Sequence, residues 1–239
     1  MKSAFIRICL FLGITCFVFS VDCQAQGTRI AIVSVADTTC VHRHVGLTIF
    51  TNFCDTIQMN FPLLQQMEGK LMAYLNTNYT ASVVQLPDSV LKVKNTFFRQ
   101  SRTKKIEQWI KNSKDQYDLV IVMDNMELSE NDRLVPKSTS GIFSRTYFAS
   151  YYTTISFFAY RTSNLKQLEY YHQGGNFMQP IKDFKLLENK KNFTPEVMKL
   201  LCDGFRNYLD SRVEHFLVKA YLVPQDKIDL IKAESGTKK

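Results

Sequence analysis

The sequence predicts an α/β fold: a mixed sheet with a parallel core and a C-terminal antiparallel hairpin, helices packed on it, and a long C-terminal helix. Three observations carry this. The runs RIAIVSV, from Arg29, and DLVIVM, from Asp118, are β-branched and lack polar alternation, as strands buried on both faces require. Helical periodicity lies between them, so the connections are crossovers and the pairing is parallel. The aromatic run YFASYYTTISFFAYRT is followed by a turn and by LKQLEYY, the order of an antiparallel hairpin.

The elements follow in order. RIAIVSVAD is the first strand and ends at Asp37. Residues 38–58 are mixed; CVHRH, from Cys40 to His44, reads as an exposed loop, and LTIFTNF as extended chain. Asn60 suits a helix N-cap with Pro62 in the first turn, and Leu63, Leu64, Met67, Leu71, Tyr74 and Leu75 recur at helical spacing until NTN at 76–78. YTASVVQL is the second strand, closed by Pro87, and residues 88–100 read as a loop. Ser101 caps a helix whose apolar face is Ile106, Trp109 and Ile110. After DLVIVMDNMEL, the stretch SENDRLVPKSTSGIFSRT is rich in breakers and reads as a flexible excursion. The long aromatic run turns at Ser163–Asn164 and pairs back through LKQLEYYHQGG.

From residue 181 the pattern is helical. Thr194 caps, Pro195 takes the first helical position, and Glu196 complements the dipole. Val197, Leu201, Phe205, Tyr208, Leu209, Phe216, Ala220 and Tyr221 form one apolar stripe, which Pro224 ends. The tail AESGTKK is expected to fray. The organisation is a signal peptide at 1–25, an α/β domain at 26–180 and a helical extension at 181–239.

The address comes from the first segment, MKSAFIRICLFLGITCFVFSVDCQAQG. Lys2 and Arg7 precede an apolar run from Ile8 to Phe19, and small residues follow at Ala25 and Gly27, the plan of a secretory signal cleaved after one of these two. The run is short of the ~20 apolar residues that a span needs, and no later run is longer. Cys16 follows GIT and Cys23 follows SVD, contexts that fit lipidation poorly. The expectation is therefore an exported protein, periplasmic or outer-membrane-associated, soluble rather than lipid-anchored, with no transmembrane segment in the mature chain. The ending QAQG resembles signals of Bacteroidota proteins.

Three of the six cysteines lie in that segment, leaving Cys40, Cys54 and Cys202. An odd number means one pair and a free thiol, or no pair. Cys40 and Cys54 are the disulfide candidates, closing a loop for ~3 kcal/mol in the chain-entropy model; two separate buried thiols are the alternative. The formal charge is +8. From Lys92 to Lys114, Lys92, Lys94, Arg99, Arg102, Lys104, Lys105, Lys111 and Lys114 face Glu107 alone. Export excludes nucleic acid as a partner for this basic patch; anionic envelope surface or an acidic envelope protein fits it, as does a plain solvated helix face.

Candidate chemistry centres on Cys40, His42 and His44. Alternate residues of an extended chain share a face, so the three can point one way and, with Asp37 or Cys54, hold zinc. Their position after a parallel strand suits a ligand site in an open α/β sheet. Their spacing of one intervening residue is shorter than structural zinc sites use, and Arg43 adds positive charge. Asp124 and Glu127 end a strand where a general acid or base can sit, though a surface or hydrogen-bonded carboxylate is the far commoner case. His172 with Gly174 and Gly175 reads as a turn, not a phosphate loop. Tyr147, Phe148, Tyr151, Tyr152, Phe157, Phe158 and Tyr160 supply either a contact surface or one core face. Thr38, Thr56 and Ser89, each after an Asp, resemble the Asp-Ser/Thr-apolar acceptors of O-glycosylated Bacteroidota proteins.

RIAIVSV, YTASVVQL, YDLVIVMDNMEL and the hairpin YYTTISFFAYRTSNLKQLEYY together resemble the anticodon-binding-domain-like fold. Exported bacterial envelope proteins use that fold, among them the N-terminal domain of TolB, CsgG and LpoB. The resemblance spans residues 28–172 and brings no residue motif with it; the hairpin turn here is RTSN. It implies a non-catalytic envelope binding or assembly component that acts by contact and needs no cofactor. The alternative is a hydrolase or metal-dependent enzyme centred on Cys40, His42 and His44.

Overall fold

The computed structural model describes residues 27–91, 100–126, 135–171, 178–182 and 193–236. Residues 1–26, where a signal peptide is expected, and Lys92, Lys94, Arg99, Glu127, His172, Gly174 and Gly175 lie outside them. In chain order the strands are β1 (Arg29–Ser34), β2 (Cys40–Val45), β3 (Phe53–Thr56), β4 (Thr80–Val83), β5 (Leu119–Asn125), β6 (Ser140–Arg145), β7 (Phe148–Thr153), β8 (Ile155–Arg161), β9 (Gln167–Tyr171) and β10 (Met178–Pro180). The helices are α1 (Leu63–Leu75), α2 (Asp88–Leu91), α3 (Gln100–Asn112), α4 (Pro195–Lys219) and α5 (Gln225–Gly236).

The α/β class holds, with parallel and antiparallel pairing mixed and a long C-terminal helix. The strands divide between two sheets, ordered β4-β1-β5-β8-β9 and β10-β7-β6-β2-β3. In the first sheet β1 lies between β4 and β5, parallel to both, and β8 and β9 add an antiparallel hairpin. Both faces are covered, which is why β1 and β5 carry no polar alternation. Ile30, Ile32, Leu119, Ile121, Met123 and Phe157 face α1, α4 and α5. Ala31, Val33, Val120 and Val122 face Val90 of α2 and Ile106 and Ile110 of α3. Phe157 stacks on Phe216 of α4 with ring centroids 4.7 Å apart.

Helix α1 buries Leu63, Met67, Leu71, Tyr74 and Leu75, the expected stripe. Its cap is Pro62 rather than Asn60. A polar seam joins it to α4: Gln66 Nε2 donates to Asp210 at 2.8 Å, Lys70 lies 3.3 Å from Asp210, and Tyr74 donates to Glu214 at 2.8 Å. Lys232 of α5 also pairs with Glu214. Thr194 and Pro195 begin α4 as expected, and the Thr194 hydroxyl accepts the Val197 amide hydrogen. Pro224 ends the long stripe, and a further helix, α5, follows and takes in AESG of the tail; residues 237–239 lie outside the described residues. α4 and α5 contribute Phe205, Leu209, Phe216 and Ile228 to the core that holds α1 and the first sheet.

The second sheet is where sequence and structure differ most. CVHRHV is strand β2, flanked by β3 and β6, not an exposed loop. SGIFSR, assigned to the flexible excursion, is β6, parallel to β2 and antiparallel to β7. Gly141, at φ 131°, makes the β2–β6 approach possible: a Cβ there would stand 2.3 Å from the Val41 carbonyl oxygen. The single aromatic run is two strands in different sheets, broken at Thr154. Hydroxyls stitch the bend. Thr154 N and Oγ1 both donate to Thr139 O, at 3.1 and 2.9 Å. Asn125 Nδ2 donates to Thr154 Oγ1 at 3.0 Å, and Ser140 Oγ lies 2.7 Å from Thr153 Oγ1. A run that reads as uniform β propensity thus contains a Thr-Thr corner whose polar groups are buried and satisfied.

Candidate functional site

Strand β2 alternates. Cys40, His42 and His44 share one face of the second sheet, and Val41, Arg43 and Val45 the other. The shared face is the one that the start of α4 covers, so the two imidazoles are interior groups, 1 % and 5 % exposed. Across the ladder, Ser144 of β6 stands in register with His44. Its hydroxyl is 2.8 Å from His42 Nε2 and 2.8 Å from His44 Nδ1. One hydroxyl hydrogen can serve one imidazole lone pair, so the other imidazole presents N–H to the Ser144 oxygen. Phe53 closes the cluster: His44 stacks on it at 5.0 Å, and His42 meets it edge-on at 4.9 Å. Phe193 meets His42 edge-on at 5.2 Å. Asp55 is the cross-strand partner of His42 on β3.

Cys40 does not complete a ligand set. Its thiol turns to Thr38 O at 3.6 Å, and burial, with Cys202 as a smaller second cause, pushes its pKa up to about 11. Burial disfavours its thiolate, which makes it a poor nucleophile at neutral pH. Among the described residues no three His, Cys, Asp or Glu side chains are grouped to hold a metal ion. The Cys40–Cys54 pairing is not made either. Both thiols are free, and Cys54 is in register with Arg43, on the other face of the sheet.

The carboxyl ends of β1 and β5 hold the next candidates. Asp124 lies 3.9 Å from Arg102, which also donates to Val35 O. Asn125 accepts from the Asp37 amide at 2.6 Å. Asp37 in turn accepts from the Thr39 amide at 3.0 Å. These groups brace the junction between the sheets. Arg102 therefore leaves the basic patch, while Lys104, Lys105, Lys111 and Lys114 are exposed beside it. Thr38, Thr56 and Ser89 are exposed. Of the aromatic cluster, Tyr151, Tyr152 and Phe157 fill the core, and Tyr147 and Phe148 stay outside.

Sequence reading missed Ser144, because it assigned that residue to an irregular segment. It also missed a cleft of about 830 Å³ at the opposite end of the first sheet, lined by Tyr79, Lys114, Asp118, Arg161, Thr162 and Tyr221. Those residues come from connections far apart in the chain and carry no common motif.

No protein-family model matches the chain, and neither does any curated protein. Among solved structures, the crystal structure of a Xanthomonas campestris protein described by the family model DUF330 aligns with a TM-score of 0.41 at 8 % identity. The alignment covers 89 % of this chain and 90 % of that one. Among the described residues no helix is long and apolar enough to cross a membrane.

Proposed function

We propose that the protein is an exported, non-catalytic component of the cell envelope that works by contact with an envelope protein or an anionic envelope surface. The observation that carries this is the Ser144 hydroxyl held between His42 and His44 under Phe53 and Phe193. The most reactive-looking motif of the sequence is used to join β2 to β6 inside the fold. What faces outward instead is contact chemistry, including Lys104, Lys105, Lys111 and Lys114 beside α3's buried Ile106 and Ile110. The reading extends the resemblance to the anticodon-binding-domain-like envelope proteins, and the features it draws on are the parallel β4-β1-β5 core and the β8–β9 hairpin.

The test is the Ser144→Ala variant. In a structural cluster, its loss destabilises the protein by about 1–3 kcal/mol, read from urea unfolding, without touching envelope association of the folded protein. The competing hydrolase reading has one observation in its favour: the 2.8 Å contact of Ser144 Oγ with His42 Nε2 is that of a nucleophile and its base. Turnover of an ester, peptide or phosphate substrate that disappears in Ser144→Ala would replace the contact reading with that one.

A further inference from the structure

Two hairpin tips meet at one end of the second sheet. β2 and β6 run parallel and both finish there, Val45 in register with Arg145. The β2–β3 connection displays Leu47, Ile49 and Phe50, and the β6–β7 turn displays Tyr147; all four are between 77 and 91 % exposed. Phe148 adds a partly exposed ring beside them. The opposite end of this sheet is the Thr153–Thr154 corner that leads into the first sheet. The six residues of β7 separate the two ends by ~20 Å. The tips are thus the end of the sheet that lies away from the corner with the first sheet.

The β2–β3 tip has its polarity inverted. Its polar side chains serve its own backbone: Asn52 Oδ1 accepts from the Gly46 amide at 2.9 Å, and Thr51 Oγ1 donates to Thr48 O at 2.8 Å. Leu47, Ile49 and Phe50 are left outward. Behind the tips stand cations. Arg43 pairs with Phe143, and Arg145 pairs with Val45, so the two arginines are diagonal neighbours on one face. Arg145 lies over the Phe143 ring, 5.5 Å from its centroid. Neither residues 38–54 nor residues 135–154 include an acidic side chain.

We propose that this end of the second sheet inserts into the interface of an anionic lipid bilayer. Leu47, Ile49, Phe50 and Tyr147 enter the headgroup–acyl boundary, and Arg145 and Arg43 meet lipid phosphates behind them. The order from aliphatic tip through aromatic ring to guanidinium follows the polarity gradient of a bilayer surface. Charge complementarity points the same way, because an acid-free end bearing two arginines is drawn to anionic headgroups. Projecting tips on two separate connections need a deformable, fluid acceptor; a protein partner would have to offer matching pockets. The inference rests on the envelope-contact reading and deepens it by naming lipid as the surface and the tips, not α3, as the site.

The experiment is co-sedimentation of the purified protein with phosphatidylcholine vesicles, with and without phosphatidylglycerol. Binding is expected to the anionic vesicles, and Leu47→Ser with Phe50→Ser is expected to weaken it by roughly tenfold or more. Arg145→Glu weakens it too, while Lys104→Glu with Lys111→Glu does not. Circular dichroism establishes that each variant is folded. Tip variants that bind like the original protein overturn the inference; if the Lys104/Lys111 variant alone then fails to bind, the contact reading survives with α3 as its surface. Absence of binding to either vesicle also overturns it, as does a dimer in equilibrium sedimentation that the tip variant converts to monomer, which would assign the tips to a second copy of the chain.

Discussion

Arg43 and Cys54 face each other across the β2–β3 ladder, which sets the Cys54 thiol on the opposite side of the sheet from Cys40. Cross-strand partners share a face, and a strand cannot be bridged through its own thickness. The two thiols therefore differ in chemistry. Cys54 is exposed, whereas Cys40 is buried with its pKa raised to about 11, and Cys202 is buried as well. In the chain from residue 26 onward, a thiol-titrating reagent at pH 8 should label Cys54 in a fast phase and leave Cys40 and Cys202 unlabelled until denaturant is added. Cys54→Ser should abolish the fast phase. A fast phase that persisted in that variant would mean that the second sheet opens.

Alkaline pH should unfold the protein through its buried tyrosines. Burial is the leading cause that raises the pKa of Tyr74, Tyr151, Tyr152 and Tyr160, and Tyr151 reaches about 12. At Tyr74 the hydrogen bond to Glu214 adds to it. In the unfolded chain these phenols ionise near 10. Between that pH and their folded values the unfolded state binds fewer protons, so stability is fully present below pH ~10 and falls as pH rises above it. Tyr151 alone contributes on the order of 2 kcal/mol to that fall. Urea midpoints measured at pH 9, 10.5 and 11.5 should decline together with the appearance of tyrosinate absorbance. A midpoint that stays unchanged from pH 9 to pH 11.5 would contradict the assignment.

The first sheet was legible because each of its signals is local. RIAIV and LVIVM are continuous apolar runs, and the face of α1 recurs at helical spacing. The second sheet was not, for an equally physical reason. Its inner face carries His42, His44, Ser140, Ser144 and Thr153, polar groups that read as loop residues until their partners are known. Each is acceptable inside only because a hydroxyl or imidazole from another strand lies within hydrogen-bond reach, and those partners are about one hundred residues away for the Ser144 cluster. Alternation was present in CVHRHV, but with imidazoles where an apolar residue is expected. The corner at Thr153–Thr154 was hidden in the same way, since threonine favours strands and gives no breaker signal.

Tyr221 is a residue whose replacement should stabilise the fold. It follows the C-cap Ala220 of α4 at φ 55°, the left-handed position that glycine usually fills. The surrounding bonds are those of a Schellman end, with Leu222 N donating to Leu217 O at 3.0 Å and Tyr221 N donating to Val218 O at 3.1 Å. The side chain is exposed at the rim of the cleft. Tyr221→Gly removes the Cβ strain while losing little packing, so it should gain about 1 kcal/mol, a rise of roughly 2–4 °C in Tm. A fall in Tm would show that the ring holds the cleft together.

Two helical glycines should respond to alanine with opposite signs. Gly69 lies in α1 with nothing within 4 Å of the position a Cβ would take. Gly69→Ala therefore gains only the helix-propensity difference, about 1 kcal/mol of added stability. Gly204 lies inside α4, where the same atom would stand 2.2 Å from Tyr151 Oη and 2.8 Å from its Cζ. The Tyr151 ring has little room to retreat, because Phe205 and Tyr208 pack on it with centroids 5.9 and 6.3 Å away. Overpacking of that kind costs about 1–3 kcal/mol, which exceeds the propensity gain. Gly204→Ala should then lower the urea midpoint where Gly69→Ala raises it. Equal gains at the two sites would show that α4 does not press on β7 as closely as the Gly204–Tyr151 contact requires.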